Sequence, residues 1–306
     1  MTSFPADIAE LRALSCRDLM ERALAAKLDR RGTRVSLCSI INAKSGRCSE
    51  DCRFCTQSAR YPTATPVYSL KDTAEIVAAA RQAREDGASH FSIVTSGRGV
   101  TPDLLPRLCA IIGAVRAQVD ISVCASLGLA TLEDFCRLKE AGLSRYHHNL
   151  ETSREFFPHI VTTHSFSDRI NTIRAAQQAG LEVCAGGIIG LGESEDDRVS
   201  MALSLAELGV VSVPLNILIP LPGTPLEKTA PLAVEDILRT ISLFRLILPD
   251  IPLRLAAGRE SALADFLGLA FLAGADGMMI GGYLTQRGRS PEQDRRFIDA
   301  VRRLWG

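Results

Sequence analysis

From residue 35 onward the chain repeats one unit: a short β-branched or apolar run, a polar loop, then an amphipathic helix. Candidate strands fall at 35–41, 90–95, 120–126, 144–149, 181–188, 212–219, 251–256 and 276–281. Helical stretches lie between them near 71–86, 102–117, 131–141, 166–179, 194–208, 233–247 and 259–273, with a last one near 291–304. Strands that alternate with helices form right-handed parallel units, so the pattern predicts an α/β fold. Eight such strands predict closure into a (β/α)8 TIM-type barrel. Gly87, Gly142, Gly180, Gly209 and Gly274 each follow a periodic segment and precede the next strand, where a helix stop is needed. Residues 1–30 read as a helical N-terminal extension covering the barrel's bottom, and 33–306 as the barrel. No low-complexity linker divides them, so 1–306 is expected to be a single domain.

Lys plus Arg and Asp plus Glu both number 35, so no net field recruits nucleic acid or an anionic membrane. The apolar stretches at 201–226 and 261–284 are interrupted by Glu207, Asp265, Asp276 and four prolines, and read as buried units rather than membrane spans. The N-terminus lacks a basic segment followed by an apolar run, so no secretion signal is expected. Nine cysteines in such a chain point to a reducing cytoplasm, where thiolates serve as metal ligands or core residues.

Three of the nine stand at Cys48, Cys52 and Cys55, spaced CxxxCxxC with Phe54 before the last. A closed zinc site wants four ligands, usually as two CxxC pairs, and no second pair follows. Three close thiolates can instead hold three irons of a 4Fe-4S cluster and leave the fourth iron open for chemistry. The predicted topology puts them on the long loop after the first strand, at the barrel end where catalytic groups collect. Cys38, Cys124 and Cys184 fall on the first, third and fifth strands. A lone strand cysteine is usually a small core residue, but three on different strands of one barrel point to a second metal site. Cys16, Cys109 and Cys136 fall in predicted helices and read as structural.

CxxxCxΦC is also the signature of the radical S-adenosylmethionine (SAM) enzymes. Beyond that motif the chain carries, in order, SGRCSEDCRFCTQS, SRYHHNLETS, EVCAGGIIGLGE, SVPLNILIPLPGTPL, LRLAAGRE and GGYLTQRGRSPEQD. This series resembles the biotin synthase family along nearly the whole length from residue 33. The resemblance implies sulfur insertion between two saturated carbons of dethiobiotin. It implies two SAM molecules per product, an external low-potential electron donor of flavodoxin or ferredoxin type, and a homodimer. It places the 4Fe-4S cluster on Cys48, Cys52 and Cys55. Arg169 then pairs with the SAM carboxylate, Thr95 receives its amino group, Asn149 and Glu151 bind the ribose, and Ile188 contacts the adenine. Asn216, with Asn149, would meet the substrate's cyclic urea, since an amide donates and accepts at once. Thr285 would lie near the substrate carboxylate. Without the resemblance each has a plainer reading: Arg169 as a solvated helix charge, Asn149 as a strand end, and the glycines 186, 187, 190 and 192 as tight packing.

The departures are as informative as the matches. The better-known members hold a second cluster with three strand cysteines and an arginine, and Cys124, Cys184 and Arg254 keep three of those positions. The fourth is Ser92, a poor ligand for soft iron. Cys38 meanwhile stands on the adjacent first strand where those members carry serine, and His90 stands where an arginine is expected. The expectation is a second Fe-S cluster with ligands rearranged to Cys38, Cys124 and Cys184. Arg254 is then a weak fourth ligand or a charge partner. The cluster is either 2Fe-2S or a 4Fe cluster carrying an extra sulfide. Two rival functions remain at this point. A hydrogenase-cofactor maturase or amino-acid mutase of the same superfamily would share the motif but not need the interior thiols or Asn216. A non-catalytic Fe-S carrier would need no SAM site.

Overall fold

Alternating burial along the strands sets the architecture. In the computed structural model, which describes residues 8–285 and 288–304, Phe91, Ile93, Val123, Ala125, Tyr146 and Val183 are fully buried against the surrounding helices. Their neighbours of opposite parity, His90, Ser92, Val94, Cys124, Ser126, Arg145 and His147, face a central cavity. Side chains alternate across a strand, so each strand contributes one wall of the outer core and one wall of the cavity.

The strands are β1 (Ser36–Lys44), β2 (His90–Thr95), β3 (Ser122–Ser126), β4 (Arg145–His147), β5 (Glu182–Cys184), β6 (Gly187–Ile189), β7 (Val213–Ile217), β8 (Leu253–Leu255) and β9 (Gly277–Met279). They are parallel and ordered β5-β4-β3-β2-β1-β9-β8-β7-β6. The two ends of that order belong to one pass of the chain. The strand expected at 181–188 is broken at Ala185–Gly186, so that β5 pairs with β4 and β6 with β7. Parallel bridges Glu151–Gly187 and Cys184–Ser212 close the ring across the break. Nine strands by hydrogen bonding are therefore eight passes around a TIM-type barrel. The break needs its glycines, because a Cβ on Gly186 would fall 1.9 Å from the Pro214 carbonyl oxygen.

Helices follow the strands as the periodicity predicts: α3 (Thr73–Glu85), α4 (Leu104–Gln118), α5 (Leu132–Glu140), α6 (Phe166–Gln178), α7 (Glu195–Leu208) and α8 (Val234–Ile247). Three of them start with reciprocal capping boxes, Thr131 with Asp134, Ser165 with Asp168, and Ser194 with Asp197. Each box satisfies two otherwise orphaned backbone donors. All five predicted stop glycines have positive φ. The helix expected at 259–273 is instead α9 (Arg259–Leu263), a 3-10 turn (Ala264–Phe266) and α10 (Leu267–Leu272), broken where Ala264 takes a positive φ of 43°. The final helix α11 spans Pro291–Leu304.

At the N-terminus, α1 (Ile8–Ala13) leads into α2 (Cys16–Arg31), which packs chiefly along α8 and α10. Lys27 donates to the Phe271 carbonyl, and Arg239 donates to the Leu14 carbonyl. The extension reaches the strand N-termini through Arg31, 2.7 Å from the buried Asp276 carboxylate. Among the described residues no helix is long and apolar enough to cross a membrane.

Candidate active site

The inward faces of the strands and the loops at their C-terminal ends enclose a cavity of about 340 Å³. Its rim is built by the loop after β1. Cys48 and Cys52 are buried and Cys55 lines the cavity beside Phe54, Thr56 and Gln57. The loop is tied to itself and to the barrel: Cys48 N donates to Gln57 O, Ala59 N to Cys48 O, and Arg53 N to Ile160 O. Its two acidic residues face the segment before α6. Asp51 accepts from the backbone of Thr162 (2.9 Å) and Thr163 (3.2 Å) and from the Thr163 hydroxyl (3.0 Å). Glu50 accepts from Thr163 Oγ1 at 2.7 Å and pairs with His164. Burial would raise the Asp51 carboxyl, but the Thr162 and Thr163 donors outweigh it and hold it down to about 2.

Burial pushes the Cys52 thiol well up and the Cys55 thiol up to about 11. Such thiols ionise only when a metal replaces the proton, which couples ligation to metal loading. Among the described residues no three His, Cys, Asp or Glu side chains converge on a single metal ion. The CxxxCxxC spacing along the chain suits a 4Fe-4S cube, in which each thiolate takes a different iron.

Arg169 is buried, not solvated. It lies over the Phe157 ring at 5.6 Å, donates from Nη1 to Asn149 O at 2.9 Å, and stands 3.6 Å from the Glu151 carboxylate. Its Nε has no partner among the described residues, and its charge draws the Cys52 thiol down against burial. Asn149 accepts from Gly186 N (3.1 Å) and donates to Glu151 Oε2 (3.2 Å), while Glu151 takes a positive φ of 71° as its carbonyl accepts from Ile188 N. Arg169, Asn149, Glu151 and Ile188 thus form one contiguous patch between α6 and the broken strand. Thr95 ends β2, buried beside the irregular pairing of Asn42 and Lys44, and is not part of the cavity wall. Asn216 is oriented by two backbone bonds, to Gly187 O (3.2 Å) and from Ala257 N (3.1 Å). Thr285 closes the rim opposite, meeting Thr56 hydroxyl to hydroxyl at 3.3 Å.

Deeper in the barrel, Cys38, Cys124, Cys184 and Arg254 line the same cavity. Arg254 keeps its charge against burial because Cys38, then Cys184 and Cys124, lie beside it. Ser92 also faces the cavity, and its Oγ has no hydrogen-bond partner among the described residues. Cys38 is in register with His90, two residues before Ser92 on the paired strand. The thiol of β1 and the hydroxyl of β2 therefore look into one space. Sequence reasoning missed Arg145 and His147, which line this wall of β4. The signal was available, because both share the parity of Asn149.

Comparison with known proteins assigns the chain. The family model "Radical SAM superfamily" matches residues 43–206, and "Biotin and Thiamin Synthesis associated domain" matches 214–301. Biotin synthase of Pelotomaculum thermopropionicum is 52% identical over 267 residues, 87% of this chain and 83% of the relative. That of Thermotoga neapolitana is 47% identical over 277 residues, covering 90% of this chain and 99% of the relative. Among solved structures, methylornithine synthase superposes with TM-score 0.82 at 21% identity, covering 96% of this chain and 91% of its own. An FeFe-hydrogenase maturase from Carboxydothermus hydrogenoformans does so with TM-score 0.80 at 21% identity, covering 97% and 72%. At that identity the last two speak for the barrel alone, whereas the first two speak for the family. The chain belongs to the biotin synthase family of the radical SAM superfamily, enzymes that use a 4Fe-4S cluster and SAM.

Proposed function

We propose that the cavity holds dethiobiotin between two iron-sulfur clusters and that this sulfurtransferase closes its ring to biotin. Family membership supports the reaction. One observation supports the site: Cys55 on the rim and Cys38, Cys124 and Cys184 at depth open on the same cavity. When bound, the rim cluster with SAM supplies a carbon radical able to take hydrogen from an unactivated C–H bond, and the interior cluster supplies sulfide.

The protein's own residues bind, orient and exclude water. Cys48, Cys52 and Cys55 hold the rim cluster. Arg169 meets the SAM carboxylate with its unpartnered Nε, a charge-assisted contact that a guanidinium makes well. Asn149, Glu151 and Ile188, which line the cavity, position the rest of SAM, and Thr95, whose side chain is off the cavity wall, offers its backbone to the SAM amino group. Asn216, pre-oriented by Gly187 and Ala257, retains one N–H and one lone pair for a cyclic urea, beside Asn149. Thr285 meets the substrate carboxylate. Cys38, Cys124 and Cys184 hold the interior cluster: their soft donors fit iron, and the neutral Ser92 hydroxyl does not. Arg254 is its fourth ligand or its charge partner. Three thiolates admit either a 2Fe-2S cluster or a 4Fe cluster with an extra sulfide.

The chain works on this reading as one unit, 1–306, in the cytoplasm, as a homodimer served by a flavodoxin- or ferredoxin-type donor. Incubation with SAM, a low-potential reductant and methyl-deuterated dethiobiotin tests it. The expected products are biotin and 5′-deoxyadenosine carrying deuterium. Unchanged dethiobiotin with unstimulated SAM cleavage would transfer the assignment to a maturase or mutase activity.

A further inference from the structure

The interior thiols face a second cation that the proposed ligand set does not use. Arg145 opens β4, in register with Cys124 on β3 and with Glu182 on β5. Its side chain is 11% exposed and lines the cavity with Cys38, Cys124 and Cys184. Glu182 fixes it, because Nε and Nη2 both donate to one carboxylate oxygen at 2.9 and 2.6 Å. A guanidinium has five N–H donors, so this fork occupies two, and the others have no protein partner among the described residues. The carboxylate is 55% exposed, so solvent screens it far more than the cation it holds.

Arg145 is the register partner of Cys124 on the neighbouring strand, and Arg254 on β8 lines the same cavity. Arg254 on β8 and Arg145 on β4 therefore approach the three thiols from two walls.

We infer that Arg145, held by Glu182, is a charge partner of the interior cluster and that it sets the cluster's reduction potential. The inference rests on the reading of Cys38, Cys124 and Cys184 as cluster ligands. A fixed positive charge beside a group that accepts an electron favours the reduced form, since net charge and hydrogen bonds to sulfur set Fe-S potentials.

The test is a redox titration, followed by EPR, of the anaerobically reconstituted full chain, with iron and sulfide counts. Arg145→Met should lower the interior midpoint by about 59 mV or more, a tenfold shift in a one-electron equilibrium. Arg145→Lys should recover most of that shift, and Glu182→Gln should move the midpoint upward. The rim cluster should stay fixed throughout. If Arg145→Met sheds the interior iron, recovery of that iron by Arg145→Lys supports the inference. A Lys variant as deficient as Met, folded by circular dichroism, shows a steric role and overturns it. An unmoved midpoint in Arg145→Met also overturns it. Wild-type protein with iron for one cluster alone overturns the underlying ligand reading instead, recognisable because no interior signal exists to titrate.

Discussion

On the proposed reading the two cysteine sets hold their clusters in opposite ways. Cys48, Cys52 and Cys55 sit within eight consecutive residues on a loop, and the loop is made rigid by Asp51 and Glu50 reaching across to Thr162, Thr163 and His164. Cys38, Cys124 and Cys184 sit on three strands and need no such ties, because the barrel itself fixes them. A loop site can be assembled locally but must be pinned; a strand site is rigid from the start but exists only once the ring has closed. The rim set is therefore tolerant of changes in the barrel wall. Cys38 on β1 and Ser92 on β2, two residues out of register, both line the cavity, so on the proposed reading a ligand role can pass between neighbouring strands.

The largest effect should come from Cys52→Ala. Cys52 is buried at the edge of the core, but its change to alanine removes a single sulfur atom, so the variant should fold, retain interior iron and reduce SAM cleavage to background. Loss of both clusters' iron would break the comparison, because it would make the interior site dependent on the rim. Cys38→Ala should do the reverse: interior iron is lost, the rim cluster and SAM cleavage persist, and biotin formation stops. Full iron, sulfide and activity in Cys38→Ala would reduce Cys38 to a small core residue.

How much of this was legible in the sequence follows the same division. The rim set was a contiguous motif, and the interior set followed from strand parity once eight strands were recognised. Parity also carried information that was left unread: Arg145, His147 and Asn149 alternate along one strand, so choosing Asn149 as inward fixed the other two. Arg169 was weighed against a solvated surface charge, yet it is three residues after Phe166 and four before Ile173, both buried, which puts it on the inner face of α6. The break in the fifth pass was not deduced, although Ala185-Gly186-Gly187 supplies the small residues for it. Ring closure through that break is a tertiary event, driven by the close approach of Pro214 and Glu151, and nothing local forces it.

A smaller effect should separate pinning from ligation. Asp51→Ala removes charge-assisted hydrogen bonds, each worth about 1.5–3 kcal/mol, while leaving all three thiols in place. The rim cluster should then assemble but be stripped several-fold faster by a ferrous chelator, with interior iron unaffected. Equal rates in variant and wild type would show that the thiols alone hold the loop.

The smallest effect is predicted at Ser92. The Ser92 Oγ faces the cavity and has no hydrogen-bond partner among the described residues. Replacing it with alanine breaks no hydrogen bond within the described protein, so Ser92→Ala should change the stability of the apo protein by less than about 1 kcal/mol. In a chain of 306 residues that is a shift of at most about 2 °C in the unfolding midpoint. On the proposed ligand set iron and sulfide content should match wild type, since a neutral hydroxyl is a poor ligand for soft iron. A Ser92→Ala protein that loses interior iron would make the hydroxyl a ligand, and the strand site would then have gained Cys38 without giving up β2.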